Sequence, residues 1–439
     1  MSLLHIGFSG LNAAQIALNV SAQNVANVNT PGYSRQEAMM GSVGGFGRLD
    51  SGAGVEVTGV RRITDDYLVG QQWRSGSAFG RANAYHQYIN TTEQILGSES
   101  MNISLGLDSF FASLNAALDA PKESAQREQV VSSATALANR FNQLNRNLLG
   151  QEKQIADQLG TSVTQTNSYL SRVAALNKEI GELAAKGGNT ALLEDSRDQV
   201  IRELSGLVEI RVTRQSNGDY DLSLPKGQPL VLGGSSSTFS LSGEKLSLSF
   251  GPQTFEVPSL DGGSMAGVID YRDNVLRTTR TKLGEIAGKL ADEFNAKQDS
   301  GLDLSGAKGA PMFTYDAVDP AGTLRVADGF KGEQLAFAKT GGGPGDNRNL
   351  HEMLTIKDDQ YDAYSALLGR LAVHSGQAKA DADSQRKLGK ELTAKVRSVS
   401  GVNSDEEGMK VMAFTKAYQA NAKVISTADQ LFDALLMMF

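Results

Sequence analysis

The side chains able to do chemistry are few, and their spacing does not suit them to it. His5, His86, His351 and His374 are the only nitrogen ligands, because the chain has no cysteine. No two of them stand three or four residues apart, the spacing that puts two ligands on one helix face. They read as solvated or packing histidines, and neither metal nor cofactor is expected. The run GGSMA at 262–266 approaches the G-x-S-x-G nucleophile elbow, but Ala266 replaces the last glycine and no clear core strand precedes it. DADSQRKLGKEL opens like a calcium loop, yet Arg386 stands where the turn glycine belongs and Leu392 where the bidentate glutamate belongs. The clusters GGSSS and GGGPG lack the Lys-Ser/Thr of a phosphate loop. Scattered residues can converge in a fold, but the sequence holds no nucleophile-base pair or paired carboxylates, so no enzyme is expected.

Composition points the same way. The 439 residues, 40% of them hydrophobic, suffice for sizeable cores, in roughly two to four domains at the usual size. Net charge is -7 with both signs interspersed, so the clustered basic footprint of a nucleic-acid binder is missing. No apolar run reaches the ~18 residues of a membrane span, and the N-terminus lacks the basic and small-residue pattern of a cleaved secretory signal. The chain is expected to stay in the cytosol or to leave by a route that cleaves no signal.

The elements that would position side chains are clearer. Leu4, Leu11, Leu18 and Val25 recur every seven residues, with Ala14 and Val28 on intervening positions, before any formal charge appears at Arg35. This predicts one amphipathic helix, capped by Ser2 and halted near Thr30 by Pro31 and Gly32, with Tyr33 following. Seven glycines between 41 and 59 predict an extended connector over 36–63 with one short strand around Val55 and Val57. Helical periodicity covers 64–207 and 262–400, with an irregular Gly- and Pro-rich stretch at 300–350. Between them, alternation from Val208 and the Asn217-Gly218 turn predict an inserted β domain over 208–261. The fold expected is mainly α with an inserted β domain.

At the other end, Ser404 and Glu407 have the S-x-x-E spacing of a capping box. Val411, Tyr418, Ile425, Phe432 and Phe439 then repeat every seven, with Phe414, Asn421, Ala428 and Leu435 in the complementary places. Such stripes usually cover a helix's own domain. Here both lie at the chain ends beyond glycines, where frayed polar sequence is usual, and pairing of 1–35 with 401–439 as a coiled coil, then with neighbouring subunits, is the alternative. Asn24 and Asn27 admit the same two readings, as bonds between helices or as local turn chemistry; Asn29 fits the turn.

NVANVNTPGYSRQ resembles the N-terminal signature of bacterial flagellar rod, hook and junction proteins, and SGVNSDEEGMKVMAFTKAYQANAKVISTADQLFDALL resembles their C-terminal motif. Tyr33-Ser34-Arg35-Gln36 is most similar to the hook-filament junction members, and GAGVEVTGVRRITDDYL, ALLEDSRDQVIRELSGLVEIRV and GGGPGDNRNL extend the likeness along the body. The resemblance implies a structural subunit exported through the flagellar type III apparatus, forming a ring through its terminal helices outside the cell. It further implies hook protein on one side, the second junction protein on the other and a cytosolic export chaperone before secretion, with neither nucleic acid nor membrane insertion. A hook or rod protein, or an enzyme on an axial scaffold, are the alternatives. The chain is short for the family, so an outer domain of longer members is expected to be reduced or missing.

Overall fold

The computed structural model describes residues 3–44 and 52–438. It is 65% helical with a few small sheets. Two compact units emerge, one from 1–79, 163–263 and 385–439, the other from 80–162 and 264–384.

In the first unit, α1 (Leu3–Ala26) is followed by β1 (Gln36–Val43) and β2 (Gly54–Arg62). The expected connector is thus a hairpin, not a single short strand: β1 and β2 pair antiparallel with a bulge between Met39 and Met40. The Val55 and Val57 alternation gave one strand away. Its partner carries Met39, Met40 and Gly41, whose weak β preference hid it. Helix α1 stops at Ala26, before Pro31. Asn27 to Tyr33 form successive turns, with Tyr33 N donating to Thr30 O at 3.2 Å and Gly32 at φ +83°, a left-handed conformation natural to glycine. Ser2 and Phe439 lie outside the described residues.

Along the chain, α2 (Asp66–Gly97) and α4 (Ser124–Ala185) contribute to both units, α3 (Ile103–Ala116) to the second and α5 (Ala191–Leu207) to the first. The 62-residue α4 ends where Gly187 adopts φ +73° and Gly188 N reaches back to Leu183 O at 2.9 Å, a glycine cap that satisfies orphan carbonyls. The β region contains β3 (Arg211–Arg214), β4 (Tyr220–Ser223), β5 (Pro229–Leu232) and β6 (Ser235–Ser236) in one four-stranded sheet. A three-stranded sheet follows, of β7 (Thr238–Ser242), β8 (Lys245–Phe250) and β9 (Gln253–Glu256). Asn167 on α4 exchanges two bonds with the backbone of Phe239, at 2.9 and 2.7 Å. Buried Arg197 on α5 stacks 3.6 Å over the Tyr220 ring and donates to Asn177 Oδ1 at 3.0 Å, which relieves the cost of burying its charge.

The second unit contains α6 (Gly263–Tyr271) from Ser264 onward, a π-helical turn Arg272–Leu276 and α7 (Arg277–Asp299). Between α7 and the next long helix the expected irregular stretch carries β10 (Gly301–Leu302), β11 (Phe313–Thr314), α8 (Pro320–Thr323), β12 (Arg325–Val326), β13 (Ala338–Lys339) and α9 (Arg348–Leu354). Its core includes Phe110, Phe294 and Phe313, with ring centroids 5.4 to 6.0 Å apart. Tyr271 is fully buried and donates to Gln151 Oε1 at 2.7 Å, with Thr92 Oγ1 also bonded to its hydroxyl. Last in the chain come α10 (Lys357–Ser400), divided between the units at Ser384, and α11 (Ser404–Leu436) of the first unit. Asp381 to Leu392, the stretch compared with a calcium loop, lies inside continuous α10, so no ligand loop forms there.

Candidate assembly interface of the terminal helices

Helices α1 and α11 run antiparallel along each other. Asn24 near the end of α1 meets Glu407 near the start of α11, while a Cβ on Gly7 would stand 2.9 Å from Ile425 Cγ1, and one on Gly10 2.4 Å from Asn421 Oδ1. On α1 the residues at this seam are small: Gly7, Gly10, Ala14, Ala17, Ser21 and Asn24. They fall at alternating three- and four-residue steps, a heptad seam. Small side chains let the two backbones approach closely, as a leucine seam would not.

The predicted α1 stripe is therefore corrected. Leu4, Leu11, Leu18 and Val25 lie one residue, about 100°, round the helix from the seam, half-buried or exposed. Phe8, 66% exposed, joins them. A third face of α1 meets the hairpin, where Ser9 Oγ accepts from Val55 N at 3.2 Å. Hydrophobic size drew attention to the leucines, while the signal for the true seam was glycine, alanine and serine at spacing seven.

On α11 the predicted stripe does face the seam over part of its length. Val411, Phe414, Asn421 and Ile425 are half-buried, Ala428 is buried and Tyr418 is at the edge. Beyond Ala428 the stripe is mostly uncovered among the described residues. Phe432 is 57% and Leu435 56% exposed, and Leu431, Leu436, Met437 and Met438 are exposed with them.

The cap of α11 also differs from expectation. Asn403 is the N-cap, accepting from Asp405 N at 3.0 Å, and Ser404 is the first helical residue. Asparagine caps at least as well as serine, and the shift frees Glu407 for another task. Its fully buried carboxylate accepts from Asn24 Nδ2 at 3.0 Å and from Lys410 Nζ at 2.7 Å. Burial raises its pKa, but the bonds from Asn24, Lys410 and Ser21 outweigh that and hold it below the ordinary glutamate value.

Asn24 is the hub. Its Nδ2 also donates to Gln36 O at 2.9 Å, and its Oδ1 accepts from Gln36 N at 2.9 Å and from Tyr33 Oη at 2.8 Å. One buried amide thus ties α1, the turn, β1 and α11 together. Burial first, then the charges of Asp195 and Glu407, push the Tyr33 hydroxyl up to about 12, so it stays a proton donor. Asn27 takes the local role instead, donating to Gln23 O at 3.0 Å and accepting from Thr30 at 3.1 Å. Val28, Thr30 and Pro31 are exposed around it.

The turn is anchored on α5 and α10. Ser34 N donates to Asp195 Oδ2 at 3.0 Å and Arg35 N to Ser400 O at 2.8 Å. Arg62, its side chain 6% exposed, bonds Asp195 and Asp198 at 2.8 Å each and Glu194 at 3.0 Å. Burial pushes Asp198 above its ordinary range despite Arg62. None of this aligns a nucleophile with a base; the ionised groups hold backbone in place. Among the described residues no cluster of His, Asp and Glu suits a metal, and no helix is long and apolar enough to cross a membrane.

Known proteins are similar to this chain. Residues 4–33 match a profile for flagella basal body rod proteins, 398–438 one for the C-terminal region of flagellar basal body rod FlgEFG proteins, and 89–313 the helical domain of flagellar hook-associated protein FlgK. Flagellar hook-associated protein 1 of Salmonella typhimurium is 27% identical over 551 aligned positions, covering 99% of both chains. The Bacillus subtilis protein of the same name is 27% identical, over 97% of this chain and 96% of its own. The Salmonella alignment is longer than the 439 residues present, so that relative carries stretches this chain lacks. The solved flagellar hook junction protein FlgK from Burkholderia pseudomallei superposes with TM-score 0.51 at 26% identity, over 56% of this chain and 47% of that one. The chain belongs to the flagellar hook-associated protein FlgK family, structural and non-enzymatic components of the bacterial flagellum.

Proposed function

We propose that this protein is an adaptor between hook and filament, assembling into a ring through its terminal helices and joining two polymers of different mechanical character. The observation that carries the reading is the pair of apolar surfaces left open by the α1–α11 seam: the Leu4, Phe8, Leu11, Leu18 and Val25 flank, and the last turns of α11 from Leu431 to Met438. Exposed apolar area of this extent is what subunit contacts bury. In the ring the helix pair acts as a two-stranded coiled coil, a role supported by the heptad spacing of Gly7 to Asn24. The subunit leaves the cell through the flagellar type III apparatus, held by a cytosolic chaperone beforehand, and meets hook protein on one side and the second junction protein on the other.

Removing 1–35 and 401–439 tests this. A folded, soluble body that no longer joins purified hooks is expected. A truncated body that still supports filament growth would overturn the role given to the terminal helices.

A further inference from the structure

The four-stranded sheet ends on β3, which pairs only with β4. At the mouth of that hairpin Gln215 N donates to Asp219 O at 2.8 Å, and the register runs Thr213 opposite Asp221 and Arg211 opposite Ser223. In an antiparallel ladder, alternate residues exchange both bonds with the partner. Arg211 and Thr213 therefore bond β4, and the N–H and C=O groups of Val212 and Arg214 point away from the sheet, where no strand of the described residues pairs with them.

Against this edge lies a cavity of about 660 Å³ bounded on its other side by the first turns of α2. This is within the ~300–1,000 Å³ of ordinary binding sites. Buried Trp73 and Tyr220, packed edge to face at 6.3 Å, contribute its inner wall, and Tyr67, 68% exposed, stands at its mouth. Of the charges around it, Arg214 bonds Asp66 at 2.8 Å and Glu209 lies towards one end. Arg74 and Arg211 are exposed and have no carboxylate partner among the described residues.

We propose that the β3 edge is a docking site for an extended, acidic peptide segment of a partner protein, which adds as a fifth strand. The free N–H and C=O groups supply the main-chain bonds of strand addition. Side chains alternate along such a strand, so acidic residues on one face meet Arg211, while those between them turn to the Ile210 side, where α2 carries Trp73 and Arg74. The charge selects the partner. A second copy's β3 would bring another Arg211 and Arg214 to the same short edge, and this gathering of like charge disfavours self-pairing.

The probe is an acetylated, amidated hexapeptide Thr-Glu-Val-Glu-Val-Thr titrated into the full-length protein, followed by the emission of Trp73, the chain's single tryptophan. Saturable binding with a change in Trp73 emission is expected, lost when the peptide is N-methylated at alternate residues in the pairing register and weakened at least tenfold in R74Q/R211Q. A lysine analogue of the peptide should not bind. Equal binding of the peptide and both N-methylated registers, or no binding at millimolar peptide, would overturn the proposal. The methylated peptides leave the protein unaltered, so the result does not depend on a variant that folds.

Discussion

Asn24→Ala isolates the hub of the terminal domain. The substitution removes four hydrogen bonds between 2.8 and 3.0 Å, and leaves the Glu407 carboxylate and both backbone groups of Gln36 short of partners in a buried site. One unsatisfied buried group costs about 1–3 kcal/mol and a broken buried charged network about 3–5 kcal/mol. Because neighbouring losses do not add, we take about 3 kcal/mol, roughly a hundredfold in an opening equilibrium. Opening of α1 from α11 should be local, so native-state hydrogen exchange is the assay: amides of α1 and of α11 up to Ala428 should exchange about a hundredfold faster, with α3 and α7 unchanged. The pH dependence has a defined sign. Glu407 has a depressed folded-state pKa, so its contribution is complete above the unfolded value near 4.5 and is lost as pH falls through the lower folded value. Without the Asn24 bond one of the contacts that hold this value down is gone, so it rises and acid opening should begin at higher pH. Unchanged exchange in both helices would refute the assignment of Asn24 as the tie between them.

Three further outcomes follow from other contacts. Gly7→Leu places a side chain where Ile425 Cγ1 already lies 2.9 Å from a Cβ position; overpacking of about 1–3 kcal/mol should separate α1 from α11, read by protease cleavage within α1. Tyr271→Phe removes the hydroxyl bonded to Gln151 and Thr92, which still bond each other at 2.9 Å, and should lower the urea midpoint by the equivalent of about 0.5–1.5 kcal/mol. Arg62→Met exposes buried Asp195 and Asp198 to mutual repulsion, costing about 3–5 kcal/mol. Since Asp198 already titrates above its ordinary range, and losing Arg62 raises it further, that variant should gain stability as pH falls from 8 to 5 and lose it as pH rises; urea unfolding at both pH values checks the sign.

Much of the fold was legible because periodicity is a strong signal in long elements. The mainly helical class and the strands on either side of Asn217-Gly218 follow from local pattern. What misled was the assumption that the largest apolar residues mark the intramolecular seam. In α1 close helix approach selects glycine, alanine and serine, and the leucines stay outside. Ser404 and Glu407 fitted a capping box, but Asn403 one residue earlier competes for the same backbone groups. No local spacing announces that Glu407 bonds Asn24, 383 positions apart in sequence. The choice between the two readings of Asn24 and Asn27 likewise needed the tertiary contacts.

The open end of α11 gives the most direct test of assembly through the terminal helices. Ile425 contacts Gly7 within the chain, whereas Phe432 and Leu435 are more than half exposed. Phe432→Asp with Leu435→Asp should leave circular dichroism and urea unfolding of the isolated protein close to those of the parent, because little intramolecular packing is lost. Incorporation should be measured by labelled antibody on purified hook-basal bodies. Loss of the label from hook tips, with normal stability of the free protein, is the expected result; normal labelling and normal filament growth would contradict it.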